Sequence, residues 1–126
     1  MSGAATSGPP RAWPEELRLH DEGTVLTVTF DNGERYDLRA EYLRVESPSA
    51  EVKGHGPGQE VTVAGKRQVS IRQIEPVGNY AVRLTFSDGH STGLYSWDYL
   101  ARLGREHDRL WAAYLKRLEE QGLSRG

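Results

Sequence analysis

No cysteine occurs anywhere in the chain. That excludes disulfides, thiolate metal ligands and a thiol nucleophile together, and it suits a reducing compartment. Long apolar runs are missing too. No stretch approaches the ~20 residues of a membrane-spanning helix, and the N-terminus has no apolar signal core, so a cytoplasmic protein with no membrane partner is expected. Charge of one sign is also lacking. Sixteen Lys and Arg stand against eighteen Asp and Glu, for a formal net charge of −2. A nucleic-acid binder would carry a basic face, so no nucleic-acid partner is expected.

What remains is a chain of 126 residues, near the usual size of one domain. Residues 1–13 are rich in Gly, Ala, Ser and Pro and read as a disordered tail. Residues 14–103 read as the domain itself. Residues 104–126 read as a C-terminal amphipathic helix packing on it.

An internal repeat organises this domain. Val25-Leu26-Thr27-Val28-Thr29-Phe30-Asp31-Asn32-Gly33 reads against Ala81-Val82-Arg83-Leu84-Thr85-Phe86-Ser87-Asp88-Gly89. The match continues at Leu38 against Leu94 and, after a one-residue slip, at Tyr42-Leu43 against Tyr99-Leu100. Leu26, Val28 and Phe30 alternate with Thr27 and Thr29, as Val82, Leu84 and Phe86 do with Arg83 and Thr85; this is strand periodicity. Asn32-Gly33 and Asp88-Gly89 predict two-residue hairpin turns. Return strands are expected near Arg35 to Leu38 and Thr92 to Tyr95, and further strands at Glu16 to Leu19, Glu60 to Val63 and Val69 to Ile74.

Ser96 is placed as a helix N-cap with Asp98 in the first turn. Gly104 interrupts the helical pattern. From Arg105 to about Gln121 Leu110, Trp111, Tyr114, Leu115 and Leu118 form an apolar stripe, which Gly122 ends. Residues 46–68, rich in Gly, Pro and Ser, read as a long connection. The expected fold is α+β: a small, mainly antiparallel sheet built from two repeated hairpin–helix units, packed by a C-terminal helix.

The catalytic templates fail one after another. Ser87-Asp88-Gly89-His90-Ser91 holds the residue types of a hydrolytic triad, but a single hairpin tip cannot set the base between nucleophile and orienter. Gly65-Lys66 resembles the end of a phosphate loop, yet Glu60 and Arg67 stand where a glycine and a Ser or Thr belong. The glycines of 54–58 lack dinucleotide spacing. His20, His55, His90 and His107 are scattered, with no His-x-x-x-His pair. Tyr36, Tyr42, Tyr80, Tyr95, Trp97 and Tyr99 gather near the two hairpin-to-helix corners, as core residues or as a recognition surface.

The segment from Pro14 to Leu103 resembles the gamma-butyrobetaine hydroxylase-like N-terminal domain family. The resemblance rests on Leu17-Arg18-Leu19, on Phe30-Asp31-Asn32-Gly33, on Leu43-Arg44, and above all on the run from Asp88 through Gly89-His90-Ser91-Thr92-Gly93-Leu94-Tyr95-Ser96-Trp97 to Leu100. It implies one of three contexts: a domain preceding an iron and 2-oxoglutarate oxygenase, a domain appended to an iron–sulfur carrier ATPase, or a free-standing bacterial domain of unknown function. It also implies a zinc site of cysteines and one histidine. Here Ser47, Ser49 and Val52 fall at the cysteine positions and only His90 matches, so the zinc site is expected to be lost and no cofactor is expected.

The function expected is therefore a non-catalytic protein-binding or adaptor module, accessory to iron–sulfur cluster or oxygenase metabolism, with His90, Tyr95, Trp97 and Arg44 as its binding residues. The alternative is a metal-binding protein using His90 with Asp88 or His55. The expected partner is a protein, and the chain a monomer or weak homodimer.

Overall fold

The computed structural model describes residues 13–54 and 61–126. All but the last residue of the expected N-terminal tail, together with His55 and the 56–58 glycines, lies outside the described residues.

The repeat folds as two three-stranded antiparallel sheets, each a meander followed by a helix. The first contains β1 (Pro14–His20), β2 (Val25–Phe30) and β3 (Arg35–Arg39), and leads into α1 (Ala40–Val45). After the short α2 (Ala50–Lys53), the second contains β4 (Ile71–Val77), β5 (Ala81–Phe86) and β6 (Leu94–Ser96), and leads into α3 (Trp97–Arg105). α4 (His107–Glu120) completes the α+β fold. The ladders match strand for strand: Leu17 pairs with Val28 as Ile74 pairs with Leu84, and each ladder is bulged near its start, at Pro14/Glu16 and Ile71/Gln73. The sheets meet at Gly23, whose carbonyl accepts from Ile71 N at 2.7 Å. A Cβ on Gly23 would stand 2.6 Å from the Ile71 carbonyl oxygen, so the backbones touch only because the residue is glycine.

Alternation puts Leu26, Val28, Phe30, Leu38, Val82, Leu84 and Phe86 in one core with Leu100 and Leu103 of α3. Tyr114 and Leu118 of α4 close a smaller cluster with Val45. Leu115 does not belong to the buried stripe; it is exposed.

Four further expectations change. The hairpins are not two-residue turns. Gly33 N donates to Phe30 O and Phe30 N to Glu34 O; Gly89 N donates to Phe86 O and Phe86 N to His90 O. Only the glycines take positive φ, +93° and +90°, so each hairpin is a turn closed by a left-handed glycine bulge. Residues 61–63 form no strand, and Glu60 lies outside the described residues. β4 begins later and runs on through Pro76, which an edge strand tolerates when the missing N–H faces outward. Gly104 does not interrupt a helix. It sits inside α3, one residue before its end, with the break falling at Glu106, and it is glycine because a Cβ there would stand 2.3 Å from the Tyr36 ring.

Candidate functional site

The second hairpin and the start of the inter-repeat connection build a partly buried polar cluster. α1 delivers Arg44 in its last turn. Its Nε donates to Asp88 Oδ2 at 2.8 Å, and Lys66 Nζ reaches the same oxygen at 2.6 Å. Asp88 Oδ1 accepts from His90 N at 3.0 Å. Burial would raise the Asp88 carboxyl, but Lys66, the His90 amide and Arg44 outweigh it and hold it well below the usual carboxylate range. Arg44 Nη1 is buried with no partner among the described residues.

The His90 side chain points inward and is only 4% exposed. Its Nε2 lies 2.9 Å from Ser47 Oγ and its Nδ1 3.2 Å from Glu51 Oε1. A carboxylate only accepts, so Nδ1 carries the proton of a neutral ring and Ser47 donates to Nε2. Burial and the Arg44 charge lower the His90 pKa against the opposing pull of Glu51 and Asp88, so the neutral ring is favoured. Ser49 caps α2, its Oγ accepting from Glu51 N at 3.1 Å while meeting Thr92 Oγ1 at 2.7 Å. Gly93 leaves room for Ser47, since a Cβ there would stand 2.4 Å from Ser47 Oγ. Val52, the third position implied by the resemblance, is buried in the wall of a neighbouring cleft of about 440 Å³. That cleft also holds the buried Glu46 carboxylate, which Lys53 meets at 3.2 Å.

Ser47, His90 and Glu51 thus follow one another in the order of a hydrolytic triad, a set sequence reasoning missed because it looked within residues 87–91 alone. Ser47 is wholly buried, however. A nucleophile needs a path for the carbonyl it attacks, and this hydroxyl has none, so the chain of bonds acts as a clasp. Among the described residues no group of three His, Cys, Asp or Glu could hold a metal ion. Both Asp88 oxygens are occupied by Arg44, Lys66 and the His90 amide, which leaves the Asp88–His90 pair poorly suited to a cation.

The other expected binding residues separate. Tyr95 is fully buried and donates to Leu43 O at 2.6 Å. Tyr99 ties the same corner by donating to Glu46 O at 2.5 Å. Burial pushes both phenols up, so both remain donors. Trp97 is half-buried, its Nε1 donating to Asn79 O at 2.8 Å. Beside it Tyr80 is 54% exposed, while Leu94, which pairs with Arg83 and points to the other face of β6, is 37% exposed. Lys66 and Glu51 were not expected as partners here; isolated charges in a loop carry no signal of which carboxylate or imidazole they will meet.

No helix among the described residues is long and apolar enough to cross a membrane. Residues 17–101 match the family described as gamma-butyrobetaine hydroxylase-like, N-terminal. A crystal structure of a DUF971-family protein of unknown function from Acidithiobacillus ferrooxidans is 41% identical, with a TM-score of 0.62, over 77% of this chain and 98% of that one. Two solution NMR structures are 46% and 45% identical, with TM-scores of 0.79 and 0.78. They cover 92% and 99% of this chain, and 91% and 90% of their own. A biotin synthase from Geobacillus thermodenitrificans is 30% identical over 101 residues; this chain spans 24% of its length.

Proposed function

The chain belongs to the gamma-butyrobetaine hydroxylase-like, N-terminal family, and from that membership we propose that it is a non-catalytic protein-binding module, accessory to iron–sulfur cluster or oxygenase metabolism. Trp97 and its neighbour Tyr80 form the contact surface. Tyr95, two residues before Trp97, ties that end of β6 to α1 through Leu43 O, whereas Arg44 and His90 belong to the cluster at the Phe86 end of β5 and lie outside the surface. The observation that carries this reading is the exposure of Tyr80 at 54% beside the half-buried Trp97. They lie at one end of the second sheet, where Trp97 N donates to Tyr80 O at 3.2 Å. Large amphipathic rings on a rigid hairpin end anchor protein interfaces at low entropic cost. The relatives support a module: the same unit is nearly all of one solved chain and about a quarter of a protein named biotin synthase.

The test is affinity capture from native lysate, wild type beside a Tyr80→Ser variant. A partner retained by the wild type and lost by the variant, at unchanged melting temperature, supports the reading and identifies the process served. Equal retention by both baits, or no specific partner for either, defeats it.

A further inference from the structure

β1 and β4 are equivalent strands, and among the described residues each lies at the edge of its sheet. Antiparallel bonding alternates along a strand. Asp31 N donates to Trp13 O beyond the β1 bulge, and Ala40 N donates to Thr24 O on the opposite side of β2. The alternation fixed by these bonds aims the backbone groups of Glu16, Arg18 and His20 at β2, and those of Leu17 and Leu19 outward. The outward positions of β4 are Ile74 and Pro76, and Pro76 has no N–H to offer. Proline closes that edge to a further strand. Leu19 takes the equivalent place in β1 and keeps its donor.

We propose that β1 is a self-association surface: two copies join edge to edge through antiparallel β1 strands, with Leu17 opposite Leu17. The sheets become one of six strands, in the order β3-β2-β1-β1-β2-β3. Charge selects the register. With Leu17 on the two-fold axis, Glu16 of each copy stands opposite Arg18 of the other, twice over. Both residues are exposed on the face away from the core, at the non-hydrogen-bonded positions where cross-strand side chains approach most closely. Moving the two-fold axis by one residue either way, a register slip of two, sets Arg18 against Arg18 or Glu16 against Glu16. The outward amides of Leu17 meet in the favoured register, so backbone and charge agree. The bulge at Pro14/Glu16 bends the strand and shortens the ladder, which keeps the association reversible.

The test is sedimentation equilibrium on the full chain from micromolar to millimolar concentration, with circular dichroism to verify folding. The wild type dimerises. Arg18→Glu and Glu16→Arg each weaken the dimer by about tenfold or more, since two attractive pairs become repulsive. The double variant Glu16→Arg/Arg18→Glu restores it. A wild type that stays monomeric throughout overturns the proposal, including the case in which β1 accepts a strand from another protein. A dimer indifferent to the single swaps, or a folded double variant that fails to recover, overturns it equally.

Discussion

His90 Nε2 stands 2.9 Å from Ser47 Oγ, joining the second hairpin to the connection that leaves the first repeat. With the ring neutral, Ser47 donates to Nε2. Protonation would place a hydrogen on Nε2, and Ser47 would have to turn its own proton elsewhere inside a buried site that already receives Ser49 N at 3.3 Å.

A pH dependence follows, and its sign is fixed. His90 titrates below its ordinary 6.5 in the folded protein, so the unfolded chain takes up the proton first. The stability it contributes is complete above about pH 6.5 and is lost as pH falls through the folded value. Thermal melts between about pH 8 and pH 5 should show the wild type weakening from near neutrality downward. His90→Gln should be less stable at pH 8 but flatter across this range. A wild-type curve level down to pH 5 would show that protonating His90 costs the fold nothing.

Asp88 governs a lower window. Its carboxyl is held far below the ordinary 3.8 by Lys66, the His90 amide and Arg44, so its contribution is present above that value and fades under stronger acid. Asp88→Asn removes the shared anion of two cations. Arg44, only 11% exposed, is then left with a buried charge, and the loss should be about 2–3 kcal/mol by urea denaturation. Arg44→Met on that background should return part of the loss, because the stranded charge goes with it.

Gly104→Ala tests packing against propensity. Alanine is the better helix former by about 1 kcal/mol, so a free surface site would be stabilised. Here the new methyl would meet the Tyr36 ring, which Phe30 flanks edge-on and whose hydroxyl donates to Glu34 Oε2 at 2.5 Å. A net loss of about 1–3 kcal/mol is expected. In a Tyr36→Leu background the same change should cost much less, and equal costs in both would place the strain elsewhere.

That glycine also marks the limit of what sequence could tell. The repeat was legible because it is local: Phe30-Asp31-Asn32-Gly33 and Phe86-Ser87-Asp88-Gly89 spell the same hairpin twice, with the same hydrogen bonds. The N-cap at Ser96 was legible for the same reason, its Oγ accepting from Tyr99 N at 3.1 Å. Gly104 reads as a helix breaker until Tyr36, far away in the chain, is seen to need the space. The resemblance aligned Ser47 and Ser49 with residues that meet His90, and they do lie against the hairpin, at His90 and Thr92. It did not reveal that Glu51 and Lys66 would complete the cluster. Nor did it tell that His90 and Tyr95 would be buried while Tyr80 and Leu94 stayed exposed, because burial depends on how the two sheets turn toward each other.

The pair Glu41–Arg125 yields the last prediction. Glu41 lies in the first turn of α1 with only 3% of its side chain exposed, and Arg125 clasps both its oxygens at 2.8 and 2.7 Å. The guanidinium also stacks 5.3 Å from the Trp111 ring centre. Backbone bonds run beside this contact, Gly65 N donating to Ser124 O and Arg67 N to Arg125 O, so the clasp fixes the segment that carries Lys66 toward Asp88. Arg125→Ala leaves a buried carboxylate uncompensated and should cost about 3 kcal/mol. Arg125→Lys keeps the charge but not the two-pronged geometry or the stacking, and should recover about half of that. Arg125→Ala combined with Glu41→Gln should be more stable than Arg125→Ala alone. Urea melts of the four proteins decide the matter: if Arg125→Ala unfolds at the wild-type midpoint, Glu41 finds its stabilisation somewhere other than Arg125.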